Sequence, residues 1–254
     1  MVIYKKEETI GKIIVNRPQV RNALDLKTLK KLIEAFEQSE ENKDLCVIFT
    51  AEGKDFTVGA DLKYGYNLMS RPDAVQESLE YTKSWQDLTR AMRNHSGIII
   101  AGLKGYVIGG GFEITLSCDL RVASKDTVIM MPELNLGTMF SNASTKLLPN
   151  LIGEAKAKEL VLLRDRITAE EAYRIGLVNY IVEPEDLMKE LDRIAKKIVE
   201  KEPLSLRFAK KLINENQDTD INTALETEFS AMMICGLSEG FGERLKAFAE
   251  KRKS

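Results

Sequence analysis

Two short apolar runs enclose an amphipathic helix near the start of the chain, and this order constrains the fold more than any other feature. GKIIVN is predicted to be a strand ending near Asn16, and LCVIFT (45–50) has the length and apolar character of a buried strand. Asp25 is placed to cap a helix between them. Apolar residues recur in that helix at close to the 3.6-residue period: Leu26, Leu29, Ile33 and Phe36. Strand, helix and strand in this order predict a βαβ unit and a parallel sheet.

The rest of the chain divides into an α/β part and a helical part. GIIIAGLKGYV is predicted to be one buried strand, and DLRVAS and TVIMM to be shorter strands. Residues 64–95 favour helix around Pro72, and from Leu147 onward the pattern is mostly helical. We therefore expect an α/β body over residues 1–195 and a helical region over residues 196–254.

Charge and composition exclude several classes of protein. The 254 residues carry 37 basic and 39 acidic side chains, for a formal net charge of −2. A near-neutral chain with no long basic block is not expected to bind nucleic acid or an anionic membrane surface. No apolar run approaches the length of about 18 residues that a membrane span needs.

Cysteine and histidine are too few and too scattered for a zinc cluster. Cys46, Cys118 and Cys235 lie far apart, and His95 is the one histidine of the chain. An odd number of cysteines with no apolar leader predicts reduced thiols and a cytoplasmic protein. His95 stands among polar residues before a strand and is expected at the surface.

Three stretches carry side chains or backbone suited to chemistry. GYVIGGGFEITLSCD (105–119) places three glycines between a strand and a helix, where backbone can approach a ligand and N–H groups face outward. Glu113 follows in the first helical turn. The other two stretches, FTVGAD (56–61) and MPELNLG with Glu133, also follow strands.

Each stretch alone has an ordinary explanation. A glycine run after a strand is usually a tight turn, and neither the P-loop nor the dinucleotide pattern is present. Glu113 alone is explained as a charge that a helix N-terminus favours, and Glu133 alone as a solvated loop carboxylate. Taken one at a time, these residues do not establish a function.

Together, GADL, GYVIGGGFE and PELNLG resemble, in order and spacing, the crotonase superfamily, also called the enoyl-CoA hydratase/isomerase family. NRPQVRNAL, DRITAEEAYRIGLVNYIV and LKAFAEKRK extend the similarity over nearly the whole chain. The resemblance implies an α/β fold, a crotonase-like spiral of ββα turns with a C-terminal helical trimerisation region. It also implies a homotrimer or dimer of trimers, acyl-CoA thioester substrates, and no metal or redox cofactor, since coenzyme A is part of the substrate.

The resemblance also assigns roles to residues of this chain. The N–H groups of Ala60 and Gly110 should form an oxyanion hole for the thioester carbonyl, because attack at C3 puts negative charge on that oxygen. Glu113 and Glu133 fall on the two catalytic glutamate positions. In the hydratases the first acts as base toward water and the second protonates C2. Burial would raise their pKa values and the helix end would lower that of Glu113, and the sequence leaves the balance open.

Binding of the CoA part is expected from residues around the same motifs and near the C-terminus. The loop Thr57–Gly59 should meet the adenine and Lys63 the nucleotide end, while Phe248 and Lys251 should help to cover CoA. The expected binding residues are Thr57, Val58, Gly59, Asp61, Leu62, Lys63, Gly109, Phe248 and Lys251.

The resemblance, together with the presence of both glutamates, implies an enoyl-CoA hydratase. This is a lyase that adds water reversibly and syn to the 2,3-double bond of an acyl-CoA. A Δ3,Δ2-enoyl-CoA isomerase that uses Glu133 is the alternative, and a non-catalytic RNA- or CoA-binding family member is a further one. The chain departs from the hydratase pattern at Met131, Asn142, Ala143 and Lys146. These changes are expected to touch the acyl pocket, with Asn142 and Ala143 narrowing it and Asn142 offering a polar partner.

Overall fold

The computed structural model describes residues 1–163 and 166–251. The strands are β1 (Val2–Glu7), β2 (Ile10–Val15), β3 (Cys46–Ala51), β4 (Ile98–Leu103), β5 (Tyr106–Ile108), β6 (Leu120–Ser124), β7 (Val128–Met130), β8 (Ile167–Thr168) and β9 (Tyr180–Val182). The helices are α1 (Leu26–Glu41), α2 (Leu62–Met69), α3 (Val75–Asn94), α4 (Gly110–Thr115), α5 (Ser144–Ile152), α6 (Glu154–Leu163), α7 (Ala169–Arg174), α8 (Leu187–Val199), α9 (Pro203–Glu215), α10 (Ile221–Gly236) and α11 (Glu239–Lys251).

Contacts divide the chain into two compact units, Met1–Ala195 and Lys196–Ser254. The first unit holds two sheets and the helices up to most of α8, and the second holds α9, α10 and α11. The predicted α/β class is therefore confirmed. Over the described residues, no helix is both long and apolar enough to span a lipid bilayer.

The larger sheet carries the predicted parallel pairing. Within the described residues its order is β1-β2-β3-β4-β6-β9, with β1 antiparallel to β2 and the other neighbours parallel. All six residues of β3 are buried, because this strand is covered on both faces. Asp25 caps α1 by accepting the N–H of Thr28 at 2.8 Å, and the buried stripe of α1 packs on the sheet.

The smaller sheet, β5-β7-β8, explains one difference from the sequence prediction. The run 97–107 forms two strands in different sheets rather than one. The chain turns between them at Lys104 and Gly105, where Gly105 has a φ of +50°. A Cβ atom there would lie 2.5 Å from the carbonyl oxygen of Lys54, so a larger residue would not fit.

Three other sequence predictions were incomplete or wrong. The edge strand β1 was missed because its second half, with Lys5 and Lys6, is exposed and has no apolar alternation. The strands β8 and β9 interrupt the region predicted as mostly helical, and two or three residues are too few to show a period. His95 is buried, with 2% of its surface exposed, and its ring contacts the Ser39 hydroxyl at 3.1 Å.

Candidate active site

The loop after β3 is held by pairing on both of its sides. Thr57 pairs with Val107 of β5, and Leu24 pairs with Ala60. The carbonyl oxygen of Leu24 accepts the N–H of Asp61 at 3.0 Å, and the N–H of Leu24 donates to Gly59 at 2.8 Å. These bonds fix the backbone on either side of Ala60.

The glycine turn after β5 lies directly against this loop. Gly109 has a φ of +55° and a ψ of −131°, a conformation that residues with a Cβ atom rarely adopt. A Cβ atom at Gly111 would lie 2.3 Å from Cγ2 of Thr57 and 3.2 Å from the amide nitrogen of Gly59. Glycine is therefore required here because two stretches of backbone approach each other closely.

The two amides predicted for the oxyanion hole are both available. The N–H groups of Ala60 and Gly110 have no acceptor within residues 1–163 and 166–251, and both residues line one cavity. Gly110 also begins α4, so its N–H lies at the positive end of that helix. Two free backbone donors at one cavity are the arrangement that stabilises an oxyanion.

Glu113 is buried and held by hydrogen bonds on one oxygen. Only 2% of the residue is exposed. Its Oε2 accepts the hydroxyl of Ser144 at 2.7 Å and the N–H groups of Ser141 at 3.1 Å and Asn142 at 3.2 Å. Burial raises the pKa of Glu113 above its ordinary value, and the three donors oppose that rise. Burial thus affects the pKa of Glu113 more than these hydrogen bonds do.

Glu133 is also buried, but within the described residues one of its carboxylate oxygens has no hydrogen-bond donor. It is 6% exposed, and its Oε2 has no hydrogen-bond partner in the described part of the chain. Burial, together with the nearby charge of Glu113, raises the pKa of Glu133 to about 7. Its Oε1 lies 2.9 Å from the position that a Cβ atom would take at Gly109, so this carboxyl faces the glycine turn. The explanation of Glu133 as a solvated carboxylate is therefore wrong.

Both glutamates open into one mostly apolar cavity of about 260 Å³. Aromatic rings of α3 form one wall: the rings of Tyr81 and Trp85 pack edge to face with centroids 6.1 Å apart. Ring atoms of Trp85 lie 2.8–2.9 Å from where a Cβ atom of Gly110 would be. The lining comprises Val58, Ala60, Leu62, Tyr81, Thr82, Trp85, Ile108, Gly109, Gly110, Glu113, Pro132, Glu133, Leu136, Thr138, Met139 and Ser141.

The sequence did not identify the individual side chains of the aromatic wall, nor Ser144. A signal for the wall was present, since Tyr81, Trp85, Leu88 and Met92 follow helical spacing in an otherwise polar stretch. Tyr81 and Trp85 line the cavity, while Trp85, Leu88 and Met92 are buried. No comparable pattern marked Ser144, whose role depends on a contact across 31 positions of the chain.

The residues after β3 that were predicted to bind CoA differ from one another in their hydrogen bonds and exposure. The N–H groups of Thr57, Val58 and Gly59 are all used inside the protein, so they are not free to bind adenine. The carbonyl oxygen of Val58 has no partner among the described residues and remains able to accept. Asp61 caps α2, and Lys63 is exposed and outside the cavity lining.

The C-terminal residues predicted to cover CoA belong to the second unit. Phe248 is on α11 and is 57% exposed, whereas the side chain of Lys251 lies outside the described residues. Their contact with CoA stays a prediction.

The expected effect of Asn142 and Ala143 on the acyl pocket was wrong. Asn142 is fully buried, and its Oδ1 accepts the hydroxyl of Thr89 at 2.9 Å, so it offers no partner to a substrate. Of the described residues that line the cavity, Ser141 is one, but Asn142, Ala143, Met131 and Lys146 are not. Met131 belongs to the hydrophobic core. Over the described residues, no group of three or more His, Cys, Asp or Glu side chains is arranged to hold a metal ion.

Comparison with known proteins shows which family this chain resembles. The family model for enoyl-CoA hydratase/isomerase matches residues 5–254. A crotonyl-CoA hydratase of Syntrophomonas wolfei is 34% identical over 100% of this chain and 96% of its own length. A short-chain-enoyl-CoA hydratase of Clostridium acetobutylicum is 36% identical over 99% of this chain and 95% of its own.

Solved structures show the same fold. The crystal structure of an enoyl-CoA hydratase from Bacillus anthracis superposes with a TM-score of 0.92 at 30% sequence identity. The superposition covers 98% of this chain and 96% of the other. The predicted resemblance is thereby confirmed, and the chain belongs to the enoyl-CoA hydratase/isomerase family.

Proposed function

We propose that this protein is an enoyl-CoA hydratase that adds water reversibly and syn to the 2,3-double bond of an acyl-CoA. One observation carries the proposal: two buried glutamates share a cavity with two free backbone amides. The names of the relatives, crotonyl-CoA hydratase and short-chain-enoyl-CoA hydratase, support the same activity.

The two amides supply the electrostatic part of the mechanism. Addition of water at C3 moves electrons through C2 onto the thioester oxygen, which becomes an enolate. The N–H groups of Ala60 and Gly110 donate to that oxygen inside an apolar cavity, where hydrogen bonds to charge are strong. Loss of one donor of this kind costs about 3–4 kcal/mol of barrier.

The two glutamates divide the proton transfers. Glu113 keeps three donors on one oxygen, which favours its carboxylate form, so it takes a proton from the attacking water. Glu133, with a pKa of about 7, is protonated in a large fraction of molecules at neutral pH. It gives its proton to C2 of the enolate once the oxygen of water has bonded to C3. Dehydration runs the same steps in reverse, and neither direction needs an electron carrier or a metal.

The cavity favours a short acyl chain. Its volume is about 260 Å³, and the rings of Tyr81 and Trp85 line one side, with Trp85 against the glycine turn. A four-carbon enoyl group fits such a space. Crotonyl-CoA is therefore the substrate we propose to test first.

The decisive experiment is a screen of enoyl-CoA thioesters read by mass spectrometry. Addition of one water to crotonyl-CoA, faster than to enoyl-CoAs of eight or more carbons, is the expected result. Migration of the double bond in 3-enoyl-CoAs without addition of water would favour the isomerase instead. An RNA-binding assay at several salt concentrations tests the non-catalytic alternative, which the net charge of −2 disfavours.

We also propose that the protein assembles as a homotrimer or dimer of trimers through its second unit. Large apolar side chains of α10 and α11 are exposed to an extent unusual for a monomer, among them Leu225 (57%), Phe229 (61%) and Leu245 (54%). Light scattering at micromolar protein should give three or six times the chain mass, and a value near 28.6 kDa would exclude the assembly. We keep the cytoplasm as the proposed compartment, since the odd number of cysteines, three, favours reduced thiols.

A further inference from the structure

The loop between Met139 and α5 separates the reaction cavity from a second cavity of about 390 Å³. Ser141 lines both cavities, and Ser144 lines the second. Among the described residues, the hydroxyl of Ser144, the first residue of α5, makes one hydrogen bond, which it donates to Glu113. Ser144 lies one position after the N-cap residue, Ala143, so its hydroxyl is not needed to cap the helix and is available to Glu113.

The hydrogen bond from Ser144 completes a set of three donors to one carboxylate oxygen of Glu113. Oε2 of Glu113 accepts three donors, at 2.7, 3.1 and 3.2 Å, and the shortest comes from Ser144. Oε1 has no donor within the described residues. Because a carboxylate oxygen has about two lone-pair directions, further donors are directed to Oε1. Oε1 is thus the atom left to accept a proton from water.

Hydrogen bonds of the Asn142 side chain hold the loop before α5, and with it these donors, in place. Asn142 is fully buried, and its side chain joins Thr89 of α3 at 2.9 Å to the hydroxyl of Ser141 at 3.2 Å. Ala143 adopts a left-handed conformation, with a φ of +58° and a ψ of 24°. This turn allows the amides of Ser141 and Asn142 and the hydroxyl of Ser144 to reach the same oxygen.

We propose that Ser144 is a positioning residue for Glu113, whose hydroxyl orients the carboxylate and keeps it ionised so that Oε1 serves as the base. The proposal rests on the proposed hydratase function for the identity of the reaction. It goes beyond that function because it gives a role to a residue outside the three motifs. Of the groups that lower the pKa of Glu113 against the effect of burial, the Ser144 hydroxyl acts most strongly.

The test compares Ser144→Ala and Ser144→Cys with wild type, because neither variant keeps a strong hydroxyl donor. Thr145→Ala is the matched control, since Thr145 is the next residue of α5 and is exposed. The rate of crotonyl-CoA hydration is measured against pH. Independently, the ¹³C-labelled carboxyl of Glu113 is titrated by NMR, with its signal identified by its loss in Glu113→Gln.

The expected result is that the acidic limb of kcat/KM, and the NMR titration of Glu113, both move up by about one pH unit in the two Ser144 variants. KM should change less than twofold, and Thr145→Ala should behave as wild type. An unchanged Glu113 titration in both variants overturns the proposal. Failure of both variants to fold does so as well, since the hydroxyl would then serve the fold.

The two proposals can fail separately. If wild type does not hydrate any enoyl-CoA, the proposed function falls, and the NMR titration still decides whether Ser144 controls the ionisation of Glu113. If wild type is an active hydratase and the Ser144 variants keep its pH profile, only the positioning role is lost.

Discussion

The phenol oxygen of Tyr81 lies 2.7 Å from the carbonyl oxygen of Leu24, to which it donates a hydrogen bond. The same carbonyl accepts the N–H of Asp61, directly after Ala60. Burial raises the pKa of Tyr81 to about 12, so the phenol remains a donor at any working pH. One side chain of the acyl wall therefore also fixes the loop that presents an oxyanion-hole amide.

Replacing Tyr81 with Phe keeps the wall but removes that bond. A neutral hydrogen bond contributes about 0.5–1.5 kcal/mol, so we expect kcat for crotonyl-CoA to fall roughly three- to tenfold while KM changes little. Tyr64→Phe is the matched control, because the Tyr64 hydroxyl bonds to Glu77 instead. Equal effects in the two variants would show that the bond to Leu24 has no special role.

Glu113→Gln and Glu133→Gln should each lower turnover by at least about two orders of magnitude, which is the usual share of general acid–base catalysis. Binding of acyl-CoA, measured by calorimetry, should change much less because the amide keeps the size of the side chain. Near-wild-type hydration by either variant would contradict the division of proton transfers proposed above.

Each part of the site that was predicted from the sequence lies within one short motif of the chain. The glycine turn, Glu113 and Glu133 each follow a strand within a few residues, and turns of this kind are determined by local residue types. The structure brings Ala60, Gly110 and both glutamates to one cavity, as expected, while their catalytic roles stay predictions.

The parts that were not predicted depend on contacts between distant residues. The burial of His95 depends on Ser39, which lies 56 positions earlier in the chain, and the orientation of Asn142 depends on Thr89, which lies 53 positions earlier. Neither contact leaves a periodic pattern in the sequence. The break between β4 and β5 was missed because both halves are apolar, and periodicity does not show where such a run changes sheets.

The raised pKa of Glu133 also predicts how stability changes with pH. Its folded-state pKa of about 7 exceeds the ordinary 4.5. The contribution of Glu133 to the free energy of unfolding is therefore full below about pH 4.5 and is lost as pH rises through 7. Glu133→Gln, which stays neutral, should match wild type at pH 4.5 and be more stable by about 1–3 kcal/mol at pH 8. Urea unfolding at both values measures this. A difference that is the same at the two pH values would mean that Glu133 titrates normally.

Gly110→Ala should displace the ring of Trp85. The added Cβ atom would lie 2.8 Å from that ring, and overpacking of this kind costs about 1–3 kcal/mol. Because the same backbone carries an oxyanion amide, we expect turnover to fall by at least about tenfold. Trp85 is the one tryptophan of the chain, so its fluorescence reports the displacement directly.

Gly65→Ala is the control for that substitution. Gly65 is within α2 and a Cβ atom there meets nothing within 4 Å. The alanine should leave the fluorescence and turnover unchanged and stabilise the protein by about 0.5–1 kcal/mol. Unchanged fluorescence in Gly110→Ala would show that the ring does not contact this turn.

Ala143→Gly tests whether the altered loop affects stability or specificity. Ala143 is exposed, lies outside the cavity lining and has a φ of +58°, where an alanine costs about 1–2 kcal/mol and a glycine does not. Glycine should therefore raise the free energy of unfolding by about 1 kcal/mol. The same substitution at the exposed Ala155, inside α6, should lower it by about 1 kcal/mol, because that residue is in a right-handed helix. Relative kcat/KM values across the enoyl-CoA panel should stay constant in both variants. A change of substrate preference in Ala143→Gly alone would show that this loop reaches the acyl group after all.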